Sequence, residues 1–229
     1  MPIVRYTTAV GPGVPVLPID FAARVALTLD DPRGWRRYGY QFVEVSTGGD
    51  VNILLETGAE TDRLCAAHGF SCYRPYHSDI IINYHNWMGG SKSSLTVEQY
   101  RNYVICHEMA HYLGLDHQKC PWDECKKRGM VTCPGSVMQQ NTRGPAHVWP
   151  CVESEWPLGP DWGIDNPGSG GIRKLILVVL LVTLIVICLC IVHTRGLRMV
   201  EPPSDAAGRE GGVPSEAIEG GGLSLHGGK

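Results

Sequence analysis

The sequence predicts an α+β domain followed by one membrane-spanning helix, and three observations carry that reading. Tyr40–Val45, Val51–Leu55 and Asp79–Asn83 are short runs rich in β-branched or apolar residues, the pattern of strands. Thr96-Val97-Glu98-Gln99 is a capping box that opens a long helix. Leu175–Val192 is apolar except for Thr183, about 18 residues that rise about 27 Å as a helix. A chain of 229 residues holds one ordinary domain with appendages. The expected division is 1–157 for the domain, 158–173 for a Gly- and Pro-rich linker, 174–193 for the membrane helix and 194–229 for a disordered tail. The tail has too few large apolar side chains to offset its chain entropy.

The elements follow in order. Met1–Pro18 is interrupted by Pro2, Pro12, Pro15 and Pro18, lacks the pattern of a secretory signal, and reads as extended, with Thr7–Val10 or Val14–Leu17 as short strands. Asp20 caps a helix whose Ala22, Val25, Ala26 and Leu29 recur at helical spacing and which ends before Pro32. Gly48-Gly49-Asp50 is expected to turn the second strand into the third. Thr61 is expected to cap a short helix through Ala67, and Asp79–Asn83 to be a buried strand. The helix opened by Thr96 should run through Tyr100, Val104 and Cys106 to about Leu113.

That helix carries His107-Glu108-Met109-Ala110-His111, followed by Gly114 and His117. Residues four apart share a helix face, so His107 and His111 can present both imidazoles to one metal ion. Glu108 is suited to act as a base beside that ion and not as a ligand. Gly114 can adopt a positive φ, which lets the chain leave the helix sharply and bring back His117 as a third ligand. Three neutral imidazoles and one open position make the donor set of a catalytic zinc site, with one Zn2+ expected. Nucleic acid is not an expected partner, because 20 Lys+Arg against 23 Asp+Glu supply no basic excess.

The same string resembles the elongated zinc-binding motif of the metzincin peptidases, which implies a downstream Met-turn; Met138 in Gly135-Ser136-Val137-Met138-Gln139-Gln140 stands where it is required. More specifically, the chain resembles a family of secreted actinobacterial metzincin-like proteins catalogued as a domain of unknown function. The matching pieces are Asp31-Pro32-Arg33-Gly34-Trp35, Thr61-Asp62-Arg63-Leu64-Cys65, Ser71-Cys72, Tyr100-Arg101, Cys120-Pro121, Val137-Met138-Gln139-Gln140, and Cys151 near Trp156-Pro157. The resemblance implies a zincin-like (metzincin) fold, with a mixed sheet and a zinc-binding active-site helix, and peptidase activity. Two features depart from it: that family has a signal peptide and no C-terminal membrane helix, and Cys106 stands where a polar residue such as Asn is expected.

Of nine Cys, Cys188 and Cys190 lie in the apolar run and behave as small apolar residues or acylation sites. The resemblance favours Cys65–Cys72, which close a small loop, and Cys120–Cys151. Cys125 and Cys133 flank an insertion and are expected to bridge each other, leaving Cys106 buried on the helix and turned away from the metal. The competing reading is a second zinc on Cys120, Cys125, Cys133 and Cys151, although their spacings lack the tight pairs of most structural sites.

The expectation is therefore a membrane-anchored zinc metallopeptidase, an endopeptidase in which Glu108 assists attack of zinc-bound water on a peptide bond. A strand before the zinc helix, Asp79–Asn83 or its neighbour, is expected to hold substrate by strand addition, and Tyr112 and His147 are candidate second oxyanion donors. The alternatives are a non-enzymatic membrane or virion-surface binding protein on a zincin fold, and a zinc amidase of non-peptide substrates. The partners expected are a protein or peptide substrate and a membrane contacted through Leu175–Val192. Disulfides ask for the domain to lie on the extracellular, lumenal or virion-surface side.

Overall fold

Strands β1 (Ile3–Val10), β2 (Gln41–Glu44), β3 (Val51–Glu56), β4 (Cys72–Arg74) and β5 (Asp79–Asn83) form one mixed sheet in the order β2-β1-β3-β5-β4. The computed structural model describes residues 1–15, 20–66, 68–167 and 179–191. β1 runs parallel to both of its neighbours and β3 parallel to β5, while β4 is antiparallel to β5 and forms an edge. Along β3 the side chains of Val51, Ile53 and Leu55 are buried and those between them only partly so, the alternation of a sheet with one well-covered face. They join Val4, Tyr6, Ile80 and Ile82 in the core.

Two helices complete that core. Helix α1 (Phe21–Asp30) starts where the Asp20 carboxylate accepts the backbone N–H groups of Ala22 and Ala23, and it buries Phe21, Val25 and Leu29. Helix α3 (Val97–Tyr112) opens with the expected capping box, Thr96 accepting from the Gln99 N–H and Gln99 reaching back to the Thr96 N–H. From Tyr103 to Ala110 every residue of α3 is buried, so this helix runs through the interior. Trp35, fully buried, donates its indole N–H to the Cys106 carbonyl at 2.9 Å and ties the turn after α1 to α3. Beyond α3 come α4 (Trp122–Lys127) and the two-stranded β6 (Cys133–Pro134) and β7 (Cys151–Val152).

Four local expectations change. The first strand is longer than read, spanning Ile3–Val10; residues 16–17 of its alternative lie outside the described residues. The second correction concerns Gly48-Gly49-Asp50, which makes no hairpin. β2 pairs with Ile3–Tyr6 and β3 with Tyr6–Val10 on the opposite side of β1, so this segment crosses β1. The crossing is held by Val45 N–H to Tyr6 O at 2.8 Å and Asp50 N–H to Arg5 O at 2.7 Å. A Cβ at Gly49 would lie 3.1 Å from both Thr7 N and Val51 O, which is why glycine stands there. Third, α2 (Gly58–Cys65) is capped by Thr57, which accepts the Glu60 N–H; Thr61 lies inside the helix with its hydroxyl donated to Thr57 O at 2.9 Å.

The fourth correction concerns the predicted linker 158–173. As far as residue 167 it is a strap packed on the domain: Leu158 and Asp165 are buried, and the Tyr38 hydroxyl donates to Leu158 O. Residues 168–173 lie outside the described residues. Residues 179–191 are helical, but among the described residues no helix is long and apolar enough to cross a membrane. The ends of the predicted span, 174–178 and 192–193, and the predicted tail, 194–229, lie outside the described residues.

Gly49→Ala should lower stability by about 1–3 kcal/mol, because the atoms it meets are backbone of two paired strands and cannot yield. Thermal unfolding of the full chain checks this, and an unchanged Tm would contradict the tight crossing.

Candidate metal centre and cleft

Helix α3 delivers His107, Glu108 and His111, and its C-terminus makes the geometry around them. Gly114 has φ +92°. Its N–H donates to His111 O, and the Leu115 N–H donates to Ala110 O at 2.9 Å. This pair of bonds is a Schellman ending, and it turns the Leu115 carbonyl back to accept Nδ1–H of His111 at 2.8 Å. On the other helix imidazole the Val137 carbonyl accepts Nδ1–H of His107, also at 2.8 Å. A carbonyl can only accept, so both rings carry their proton on Nδ1 and turn an Nε2 lone pair inward.

Both lone pairs face Nε2 of His117, 3.3 Å from each. A single N–H on His117 can serve only one of them, which leaves the cluster short of positive charge. Three ligands at the 2.0–2.1 Å zinc–nitrogen distance of a tetrahedral site would stand roughly 3.3–3.4 Å apart. The donor set therefore fits a divalent metal such as zinc. Burial lowers the proton affinity of all three rings, that of His107 most strongly, and their mutual repulsion adds to it for His107 and His117. Each is thereby biased to the neutral form that ligates a metal.

Glu108 is 4% exposed, and desolvation pushes its pKa up to about 8, partly offset by the backbone N–H of Tyr73. Its Oε2 has no hydrogen-bond partner. Glu108 and the three histidines line a cleft of about 430 Å³. One wall is formed by Phe70, Ser71, Cys72, Tyr73 and Pro75, on and around edge strand β4, and the other includes Gln140, Thr142 and Arg143. The strand beside the cleft is thus β4; Asp79–Asn83, read as a candidate for holding substrate, is paired on both sides.

Met138 is fully buried in the turn whose Val137 carbonyl holds His107. The turn is closed by Gln139 N–H to Ser136 O at 3.0 Å and joined to the His117 segment by Gln118 N–H to Met138 O, also at 3.0 Å. Below it lies Asp165 of the strap. Its carboxylate accepts from Ser136 Oγ and from the Leu158 N–H at 2.7 Å, and its own N–H donates to Gln118 Oε1 at 3.1 Å. Asp165 consequently holds the Met138 turn and the chain after His117 in one network.

The sequence-predicted residues His107, Glu108, His111 and His117 come together in the cleft, with Met138 in the turn beneath. Cys65–Cys72, Cys120–Cys151 and Cys125–Cys133 are bridged as expected. Cys120, Cys133 and Cys151 are also close enough to share a metal, but in the bridged state no thiolate is available for it. Cys106 is free and buried, and desolvation holds its thiol protonated. Neither Tyr112 nor His147 lines the cleft: Tyr112 packs edge-on against Tyr73, and His147 is exposed beyond the Met138 turn. Phe70, Arg143 and Asp165 were not legible. Arg143 follows Met138 by five positions in a polar turn with no motif, and Asp165 sits among prolines and glycines that read as a linker.

Replacing Asp165 by Ala should orphan the buried Leu158 N–H and leave the Ser136 hydroxyl with only the Gln118 side-chain oxygen to donate to, lowering stability by about 1–3 kcal/mol. Because the same network supports the carbonyl behind His107, zinc affinity should fall roughly 10–100-fold. Competition with a chromophoric chelator reads the second effect, and undiminished affinity would detach the strap from the centre.

Comparison with known sequences adds a family and no activity. No curated protein matches the chain. Residues 6–147, which hold α3, all three histidines, the Met138 turn and all of the sheet but the first three residues of β1, match a family described as protein of unknown function (DUF3152). The match stops short of β7 and of the strap that carries Asp165. Covering more than half of the chain, it establishes that this protein belongs to that family.

Proposed function

We propose that the chain is a membrane-anchored zinc-dependent endopeptidase with a zincin-like (metzincin) domain. The observation that supports it most is the convergence of three imidazoles, two of them held with the proton on Nδ1, beside a buried carboxyl with an unpartnered oxygen, at the base of a cleft flanked by an edge strand. His107, His111 and His117 would hold the zinc ion, which would supply Lewis acidity and lower the pKa of a nearby water. Glu108 accepts the proton from that water at its carboxylate and returns it to the departing amine. Its burial suits the first half of that cycle, since it favours the protonated form that the first transfer produces. The backbone of β4 receives the substrate in extended form, its free edge offering the hydrogen-bonding groups that β5 does not use. Three disulfides suit an oxidising compartment, so we assign the domain to the extracellular, lumenal or virion-surface side, with Leu175–Val192 as the anchor.

The full chain should hold about one zinc, lost in a His107→Ala, His111→Ala double variant because one imidazole cannot retain the ion. It should cleave a quenched-peptide library, and Glu108→Gln should keep the zinc while slowing cleavage by roughly 10²–10⁴-fold. Zinc that survives the double variant would move the metal to the cysteines. Bound zinc without peptide cleavage would leave the protein a binder, or an amidase if non-peptide amides were consumed instead.

A further inference from the structure

The cleft contains a cation that the hydrolytic reading does not use. Arg143 is the one Lys or Arg among the described residues that line it, and its guanidinium carbon lies 4.8 Å from the centroid of the Phe70 ring on the facing wall. Both partners stand on restrained backbone. Next to Phe70, Gly69 donates its N–H to Asp62 at 2.7 Å and accepts from the Asn86 side chain at 2.8 Å, and the Cys65–Cys72 bridge closes the loop. Next to Arg143, Thr142 accepts the Lys92 N–H at 3.3 Å, and its hydroxyl contacts that of Tyr100 at 3.1 Å.

Among the described residues no carboxylate lies within ion-pair distance of Arg143, although most other arginines of the domain have one. Asp116 also lines the cleft but makes no ion pair with it. An aromatic ring orients a guanidinium by its face and leaves the N–H fork on the rim unspent. A fork held in that way, exposed at the rim of the cleft, is a receptor for a planar anion.

We infer that Arg143, stacked on Phe70, is a carboxylate-recognition subsite, so that the favoured peptide carries an acidic group beside the segment presented to the histidine cluster. That the peptide is cleaved rests on the peptidase reading, but the subsite itself requires only binding. The carboxylate has two possible sources, an Asp or Glu side chain or the free C-terminus of a peptide, and both present the same two oxygens to the fork.

The test uses the full chain carrying Glu108→Gln, loaded with zinc, and dye-labelled alanine-based hexapeptides. One Glu or one Gln is walked through the positions, each peptide being made as C-terminal amide and as free acid, and binding is read by fluorescence anisotropy. A Glu at one position, or the free terminus, should tighten Kd about tenfold over its neutral counterpart. Preference confined to the side-chain arm assigns an acidic residue, and preference confined to the free acid assigns the C-terminus. Adding Arg143→Gln should erase the preference to within about twofold, whereas Arg143→Lys should keep some of it and Phe70→Ala should weaken it. Equal binding of acidic and neutral peptides, no measurable binding of either, or a preference that survives Arg143→Gln would overturn the subsite. Acidic preference with no cleavage by the unsubstituted chain would sink the peptidase and leave the subsite standing; cleavage without preference would do the reverse.

Discussion

The hydrogen bond from the His107 imidazole to the Val137 carbonyl is the joint on which the site turns. Its two ends belong to different regions of the domain. His107 is fixed by α3, which is buried among the sheet, α1 and Trp35; Val137 belongs to the turn that α3 cannot position by itself. Joining them sets the tautomer of the ring, the direction of its lone pair and the depth of Met138 in a single contact. His117 is drawn into the same arrangement because Gln118 bonds to the carbonyl of Met138. Three histidines from two segments thus share one frame.

The features of this arrangement that were legible in the sequence are those set by local chemistry. A capping box, two histidines four apart and a glycine at a helix end each act through neighbours within a few residues, so spacing alone reveals them. What spacing could not reveal depends on residues far apart in the chain. The segment Gly48-Gly49-Asp50 has the composition of a hairpin, and only the arrival of β1 between β2 and β3 makes it a crossing. Thr57 and Thr61 are equally plausible caps by type, and the choice falls to the one whose hydroxyl meets a free N–H. Tyr112 was a candidate oxyanion donor by its place beside the motif, yet its ring meets Tyr73 edge-on and does not line the cleft.

The disulfides divide their work in the same spirit. Cys65–Cys72 joins α2 to the edge strand and so fixes the wall that bears Phe70. Cys120–Cys151 and Cys125–Cys133 close the irregular stretch after His117, where the chain has two very short strands, one α-helix of six residues and two 3-10 turns to hold it. A region with so little regular hydrogen bonding gains most from cross-links. The long buried helix needs none, and Cys106 in its midst is spared both a partner and solvent.

The strap gives the domain a mechanical order. Asp165 lies near residue 167, where the described part of the domain stops, and its bonds run to Ser136, Leu158 and Gln118, not to any strand of the five-stranded sheet. Tension drawn along the backbone from residue 167 therefore reaches the turn beneath the histidines before it reaches β1 or β3. The sheet is loaded through its parallel ladders, many bonds together, while the strap is held by a few contacts that can break singly, each in its turn. Under force the histidine cluster would slacken while the sheet was still whole.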